Sequence, residues 1–139
     1  PVPEIGHATF SIGEDEMEIG MGIHGEPGIS RKTLAKADKV VEEMMDRIFA
    51  EQTLGRGDEV ALLVNGLGGT ANEELYILFG RVWQLLTERG ATVKHVWIGE
   101  YVTSMETAGA SISILHLDEE LARLIAAPAN TPFFSYCKA

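Results

Sequence analysis

Val60-Ala61-Leu62-Leu63-Val64 runs apolar without interruption between Gly55-Arg56-Gly57 and Asn65-Gly66. The run is short and framed by turn residues, so it reads as a strand buried on both faces rather than as a helix. Such a strand needs packing partners above and below, and the rest of the chain is patterned to supply them. Leu75, Leu78, Phe79, Val82, Leu85 and Leu86 recur at helical spacing, with Thr70 and Glu73 at capping-box distance and Gly90 placed to end the helix. Ala37, Val41, Met44, Met45 and Ile48 mark an earlier helix, expected over 30–50.

Period-two alternation of Met17, Ile19, Met21 and Ile23 predicts a strand over 16–23, with Phe10 and Ile12 as a short partner ahead of the Gly13-Glu14-Asp15 turn. Val93 to Ile98 and Ser111 to Leu117 are further strand candidates. Asp118 is placed to cap a short helix that Pro128 ends, and Pro132 to Tyr136 suggest a last edge strand. The expected order is β-β-α-β-α-β-β-α-β. The fold class is α/β (α+β), a single two-layer domain over residues 1–139 with a mixed β-sheet covered by helices. Antiparallel pairs are expected from the initial hairpin and from the strands at 93–98 and 111–117.

Composition narrows the function. In 139 residues, 11 Lys and Arg stand against 21 Asp and Glu, a net charge of −10. Such a surface repels phosphate backbones and anionic lipid, so nucleic-acid and membrane-surface partners are not expected. No apolar stretch approaches the ~18 residues of a membrane span, and Cys137, as the single cysteine, makes no internal disulfide. No signal-like segment opens the chain, so a cytoplasmic domain is the expectation. The first residue is Pro1 rather than Met, which reads as a processed terminus or a piece of a longer protein.

Two glycine-rich stretches stand out. In Gly20-Met21-Gly22-Ile23-His24-Gly25-Glu26-Pro27-Gly28, the glycines point to left-handed turns or to close approach by a ligand or another backbone. His24 falls where the strand pattern gives way to a turn. It is either a solvated turn histidine or a nucleophile, base or ligand active near neutral pH. As a metal ligand it would join His7, Glu14 or Glu26, but no metal-ligand spacing is present, so no metal is expected. The second stretch, Asn65-Gly66-Leu67-Gly68-Gly69-Thr70, links the buried strand to a helix start. It lacks the phosphate-loop lysine and the dinucleotide glycine spacing, which favours a tight turn capped by Thr70 over an anion cradle. The Glu14-Asp15-Glu16-Glu18 cluster reads as a solvated face. The methionines, with Trp83 and Trp97, read as core or interface, and Cys137 has no evident activating base.

Taken together, Gly22-Ile23-His24-Gly25-Glu26-Pro27-Gly28 preceded by Glu4-Ile5-Gly6-His7, then Leu62-Leu63-Val64-Asn65-Gly66-Leu67-Gly68-Gly69-Thr70 with Glu74-Leu75-Tyr76, and Gly99-Glu100-Tyr101-Val102-Thr103-Ser104 with Gly109-Ala110-Ser111-Ile112-Ser113, resemble the substrate-binding subunit of dihydroxyacetone kinases in order and spacing. The resemblance implies that this chain is the C-terminal lobe of that subunit and that His24 is its reactive histidine. The imidazole would add to the ketone of dihydroxyacetone and hold it as a hemiaminal. The N-terminal lobe would supply the general base and other substrate contacts. ATP and Mg would sit on a helical nucleotide-binding subunit or domain, so no cofactor is expected on this chain; in some bacteria a phosphoprotein relay regenerates the nucleotide. A homodimer is implied, as is inactivity of this piece alone. Gly13, Asn65, Gly68 and Gly69 are shared motif positions without an assigned role. Four-carbon ketoses are alternative substrates. The competing readings are a regulatory or dimerisation module derived from such a kinase, and a free-standing anion-binding protein built on the Gly66–Thr70 loop.

Overall fold

The structure is a computed structural model and describes Gly6, residues 11–22 and residues 26–137. Its elements are β1 (Glu16–Ile19), β2 (Ser30–Thr33), α1 (Ala37–Glu51), β3 (Glu59–Gly66), α2 (Asn72–Glu88), β4 (Thr92–Gly99), β5 (Ala110–Leu117), α3 (Glu119–Ile125), β6 (Ala129–Asn130) and β7 (Ser135–Tyr136). The central sheet has the order β4-β3-β5, with β3 parallel to β4 and antiparallel to β5.

The apolar run forms the middle strand. Val60, Leu62 and Val64 are fully buried and pack with Val41 and Met45 of α1 and with Leu75, Val82 and Leu86 of α2. Burying each such side chain contributes about 1.5–3 kcal/mol, so both helices are fixed on one face of β3. Alternation turns Ala61, Leu63 and Asn65 to the opposite face. Register sets Leu63 beside Trp97 and Ser113, and Asn65 beside Gly99 and Ser111. The mixed two-layer α/β arrangement follows the sequence reading.

Several local expectations are corrected. Ser30–Thr33 is a strand, and the first helix starts at Ala37. The cause is non-local: Arg31 lies directly opposite Glu18 in the β1–β2 pair and forms a 2.9 Å ion pair with it. Glu43 of α1 reaches back to Lys32 at 2.8 Å. The hairpin partner of β1 is therefore β2. Ile12 lies in no strand, and Phe10 lies outside the described residues. β1 ends at Ile19 because Gly20 turns left-handed, at φ +80°; Ile23 lies outside the described residues. The strands at 93–98 and 111–117 do not pair with each other, since β3 lies between them.

The α2 cap is also shifted by one residue. The Glu74 carboxylate accepts from the Ala71 N–H at 3.3 Å, while the Thr70 hydroxyl donates to the Gly109 carbonyl at 2.9 Å. The last strand, expected over 132–136, is confined to Ser135–Tyr136 and pairs with Ala129–Asn130 in the small β6–β7 hairpin. Other local signals hold. Asp118 accepts from the Leu121 N–H at 2.7 Å, and Gly90 closes α2 at φ +84° with the Ala91 N–H on the Leu86 carbonyl. No helix among the described residues is long and apolar enough to cross a membrane.

Candidate functional site

The glycines of the first rich stretch serve a tight return of the chain. Ile29 N–H donates to the Ile19 carbonyl at 2.7 Å, which brings residues 28–29 against the end of β1. A Cβ on Gly28 would lie 2.8 Å from that carbonyl oxygen, and one on Gly20 would lie 2.8 Å from the Ile29 side chain. Neither position accepts a larger residue without movement. The Glu18 carboxylate secures the same corner, accepting from the Gly28 N–H at 2.6 Å and from Arg31. The Arg31 hydrogen bond, then the Gly28 N–H, hold the Glu18 carboxyl below its ordinary value.

Beyond this corner the Gly22 N–H donates to the Glu26 carbonyl at 3.1 Å, so the two ends of the intervening segment are tied together. That segment holds His24, which with Ile23, Gly25 and His7 lies outside the described residues. Among the described residues, no group of three or more His, Cys, Asp and Glu side chains gathers where it could hold a metal ion.

The second glycine stretch is pressed against the 103–109 loop. Leu67 N–H donates to the Gly109 carbonyl and Gly69 N–H to the Thr107 carbonyl, each at 3.0 Å, and Ser104 N–H donates to the Leu67 carbonyl at 3.1 Å. Gly68 stands at φ +109°, where a Cβ would run into the Met105 carbonyl oxygen; a Cβ on Gly69 would lie 2.9 Å from the Ala108 nitrogen. These glycines therefore permit backbone-to-backbone packing. The Leu67 and Gly69 amides that an anion cradle would use are occupied, and the open depression beside the loop is bordered by Glu100, whose carboxylate repels phosphate.

Asn65 explains how the neighbouring loop is held. It is 1% exposed, the only buried polar residue in the described core. Its Oδ1 accepts from the Tyr101 N–H at 2.8 Å and from the Val102 N–H at 2.9 Å, and its Nδ2 donates to the Val102 carbonyl at 2.7 Å. The side chain thus completes the backbone bonding that the chain leaves open after β4.

A cavity of about 320 Å³ opens on the sheet face opposite α1 and α2, with Met21, Gly22, Leu63, Ser104, Ser111 and Ser113 among its walls. It joins the end of the His24-bearing stretch to the β3–β5 seam. The sequence reading took Ser111 and Ser113 only as part of a strand candidate. The β3 register brings them beside Asn65 and Leu63, Ser111 half-buried and Ser113 exposed, which pattern alone does not contain.

A mixed sheet with helices packed on one face and glycine-tightened loops at its strand ends defines an α/β domain. A family model described as the Dak1 domain matches residues 1–133. The dihydroxyacetone-binding subunit DhaK of a PTS-dependent dihydroxyacetone kinase from Listeria innocua is 45% identical over 133 residues, covering 96% of this chain and 40% of that protein. The D-erythrulose kinase of Mycolicibacterium smegmatis is 39% identical over 133 residues, covering 96% of this chain and 23% of that enzyme. Among solved structures, the dihydroxyacetone kinase operon co-activator Dha-DhaQ superposes with a TM-score of 0.79 at 30% identity, covering 88% of this chain and 38% of that one. The dihydroxyacetone kinase of C. freundii in complex with AMP-PNP and Mg²⁺ gives 0.72 at 27% identity, covering 87% and 22%. This chain belongs to the Dak1 family, and it spans less than half the length of these relatives.

Proposed function

We propose that this chain is the ketose-holding C-terminal lobe, over residues 1–139, of a dihydroxyacetone-type kinase, and that His24 anchors the substrate covalently. The observation that carries the reading is the Gly-Ile-His-Gly-Glu-Pro-Gly stretch, whose described ends are drawn together by the Gly22–Glu26 hydrogen bond. The names of the relatives supply the substrate class, a ketose of three or four carbons.

The chemistry suits an imidazole. Its lone-pair nitrogen attacks the ketone carbon, the C=O π pair moves to oxygen and takes up a proton, and the other ring nitrogen releases one. The attacking nitrogen has no hydrogen left to lose, so the adduct stops at the hemiaminal and no water departs. The bond selects for a carbonyl, which glycerol lacks, and it fixes the terminal hydroxyl for phosphoryl transfer. The loop at Gly66–Thr70 is poorly suited to a nucleotide, because the Leu67 and Gly69 amides are engaged and Glu100 stands beside it. In this reading, as the family resemblance implies, ATP and Mg belong to a separate helical subunit or domain, and the general base to an N-terminal lobe. A cytoplasmic homodimer acting in glycerol metabolism completes the proposal.

The test is native mass spectrometry of the full-length gene product with dihydroxyacetone. The protein gains the full mass of the ketose, whereas an imine would fall short by one water. His24→Ala loses the adduct and at least about 100-fold in phosphorylation rate, as expected when covalent positioning is lost. An undiminished adduct in His24→Ala overturns the assignment. A regulatory reading has its own support in the likeness to the operon co-activator; ketose phosphorylation with ATP and the helical partner decides against it, and adduct formation without turnover decides for it.

A further inference from the structure

Asn65 is the one asparagine in the chain that a glycine follows; Asn72 precedes Glu73, and Asn130 precedes Thr131. An asparagine side chain can be attacked at Cγ by the backbone nitrogen of the next residue, closing a five-membered ring. A Cβ on that residue crowds the nitrogen, and glycine has none. The fold requires both members of this labile pair. Asn65, fully buried, binds the Tyr101 and Val102 N–H groups through Oδ1 and the Val102 carbonyl through Nδ2. A Cβ at Gly66 would lie 3.2 Å from both Glu100 Cγ and Leu75 Cδ1, tighter than ordinary van der Waals contact. The pair ends β3, with Asn65 opposite Ser111 and Gly66 opposite Ala110 in β5. This arrangement blocks the reaction. The extended backbone is held in the sheet and both ends of the Asn65 amide are bonded, so Cγ cannot swing onto the Gly66 nitrogen. Burial also keeps away the hydroxide that would take the nitrogen's proton.

We infer that Asn65–Gly66 is a deamidation site, closed in the folded chain and opened when the Tyr101–Val102 loop lets go, so that time spent open makes unfolding irreversible. Hydroxide takes the Gly66 N–H proton, and the nitrogen attacks Asn65 Cγ. The Cγ–Nδ2 bond breaks, and ammonia leaves with a proton from water. Water then opens the succinimide at either carbonyl, giving an aspartate or its β-linked isomer at position 65. Nothing is oxidised or reduced; NH is exchanged for O. Neither product fits the folded chain. Aspartate offers no N–H to the Val102 carbonyl and buries a charge. The β-linked isomer lengthens the backbone by one carbon and takes Gly66 out of register with Ala110. A chain modified while open therefore does not regain its former loop. Asn72 and Asn130 are exposed in the folded chain, but a residue with a Cβ follows each, so Asn65 overtakes them once the chain is unfolded.

The experiment follows Asn65, Asn72 and Asn130 in the full-length gene product by peptide mapping in mildly alkaline buffer, with and without denaturing urea, using fragmentation that separates the two isomers. Asn65 should convert fastest of the three in urea. In the native protein it should convert at least about 100-fold more slowly, because three short hydrogen bonds must open first. Urea below the unfolding transition should raise the native rate in step with hydrogen exchange at Tyr101 and Val102. On dilution from urea, the fraction that recovers exchange protection at those two amides should fall as the modified fraction at Asn65 rises. Gly66→Ala is the control in urea, where its packing does not matter, and conversion at Asn65 should slow severalfold. Conversion as fast in the native protein as in urea overturns the inference. So does modified protein that refolds with full protection at 101 and 102, or a refolding yield that falls while Asn65 stays intact. Unslowed conversion in Gly66→Ala takes the Gly66 nitrogen out of the reaction.

Discussion

Replacing Asn65 by Ala tests whether one buried amide holds the loop that walls the site. The side chain makes three short bonds to the backbone of Tyr101 and Val102, at 2.7, 2.8 and 2.9 Å. Alanine removes all three partners at once. Each backbone group left without a partner costs about 1–3 kcal/mol when water cannot reach it. Tyr101 and Val102 expose their side chains, so water recovers part of the loss and the lower end applies. Three such groups give about 3 kcal/mol, which for a chain of this size lowers the melting temperature by roughly 10 °C. Urea unfolding measures the free energy directly. Hydrogen exchange locates it: the Tyr101 and Val102 amides should lose protection well beyond the global change, while the Val60–Val64 amides track global stability. Asn65→Asp is a sharper probe. It keeps an acceptor for the two N–H groups, but it sets a second oxygen against the Val102 carbonyl and buries a charge, so it should be no better than alanine near neutral pH. A loss below about 0.5 kcal/mol in Asn65→Ala, with unchanged exchange at 101 and 102, would refute the reasoning, because a typical hydrogen bond alone contributes about that much.

Two glycines that look alike in the sequence should respond in opposite directions. Gly68→Ala, at φ +109° with the Met105 carbonyl oxygen in the way of a Cβ, should cost at least about 2 kcal/mol. Gly80→Ala, inside α2 with nothing within 4 Å of a Cβ, should stabilise by about 1 kcal/mol. Chemical denaturation of both variants checks the pair, and a neutral Gly68→Ala would contradict the loop packing. Acid lability is expected as well. Glu18 is held below the ordinary 4.5 first by its hydrogen bond from Arg31, Glu42 by Lys39 and Arg81, and Glu43 by Lys32 and then Arg47. A carboxyl depressed in the folded state stabilises it above the unfolded value and loses that contribution as pH falls through the folded value. Stability should therefore be flat above about pH 5 and fall below 4.5, and Glu43→Gln should flatten the fall. A profile unchanged by that substitution would remove Glu43 from the account.

Where a sequence signal and its structural cause lay within one or two turns of chain, reading the residues sufficed. β3 follows from its apolar run, α2 from its spacing and the Gly90 terminus, and the start of α3 from Asp118. β2 failed because Ser-Arg-Lys-Thr carries no strand pattern. It is extended because β1 pairs with it, Glu18 thirteen residues back taking Arg31, although the opposed charges of 16–19 and 30–33 were a usable hint. The position of β5 failed for the same kind of reason. Nothing local to 110–117 says that it lies against β3 rather than β4. That choice is made by Asn65 and by the Gly68 and Gly69 contacts with residues 105–108, across a sequence separation that periodicity does not see. The glycines of both stretches were legible as sites of close approach, but not what approached them.

The two stretches turn out to do different work, and the difference bears on the proposed division of labour. The space beside Gly68 and Gly69 is filled by protein, and the Leu67 and Gly69 amides are bonded within the chain, which disfavours an anion there. Met21 and Gly22, at the described end of the other stretch, instead border a cavity lined by serines and aliphatic side chains, with no ionisable side chain among its described walls. Around both lies a chain of net charge −10. A surface of that sign slows the approach of a nucleotide and leaves a neutral sugar unaffected. Under the proposed function, this lobe discriminates through the carbonyl of a neutral ketose, while the groups that handle phosphate are carried on other polypeptide. Salt provides the check on that separation. Ketose adduct formation by the full-length protein should be nearly independent of ionic strength, and a steep dependence would mean that charge on this lobe takes part in binding.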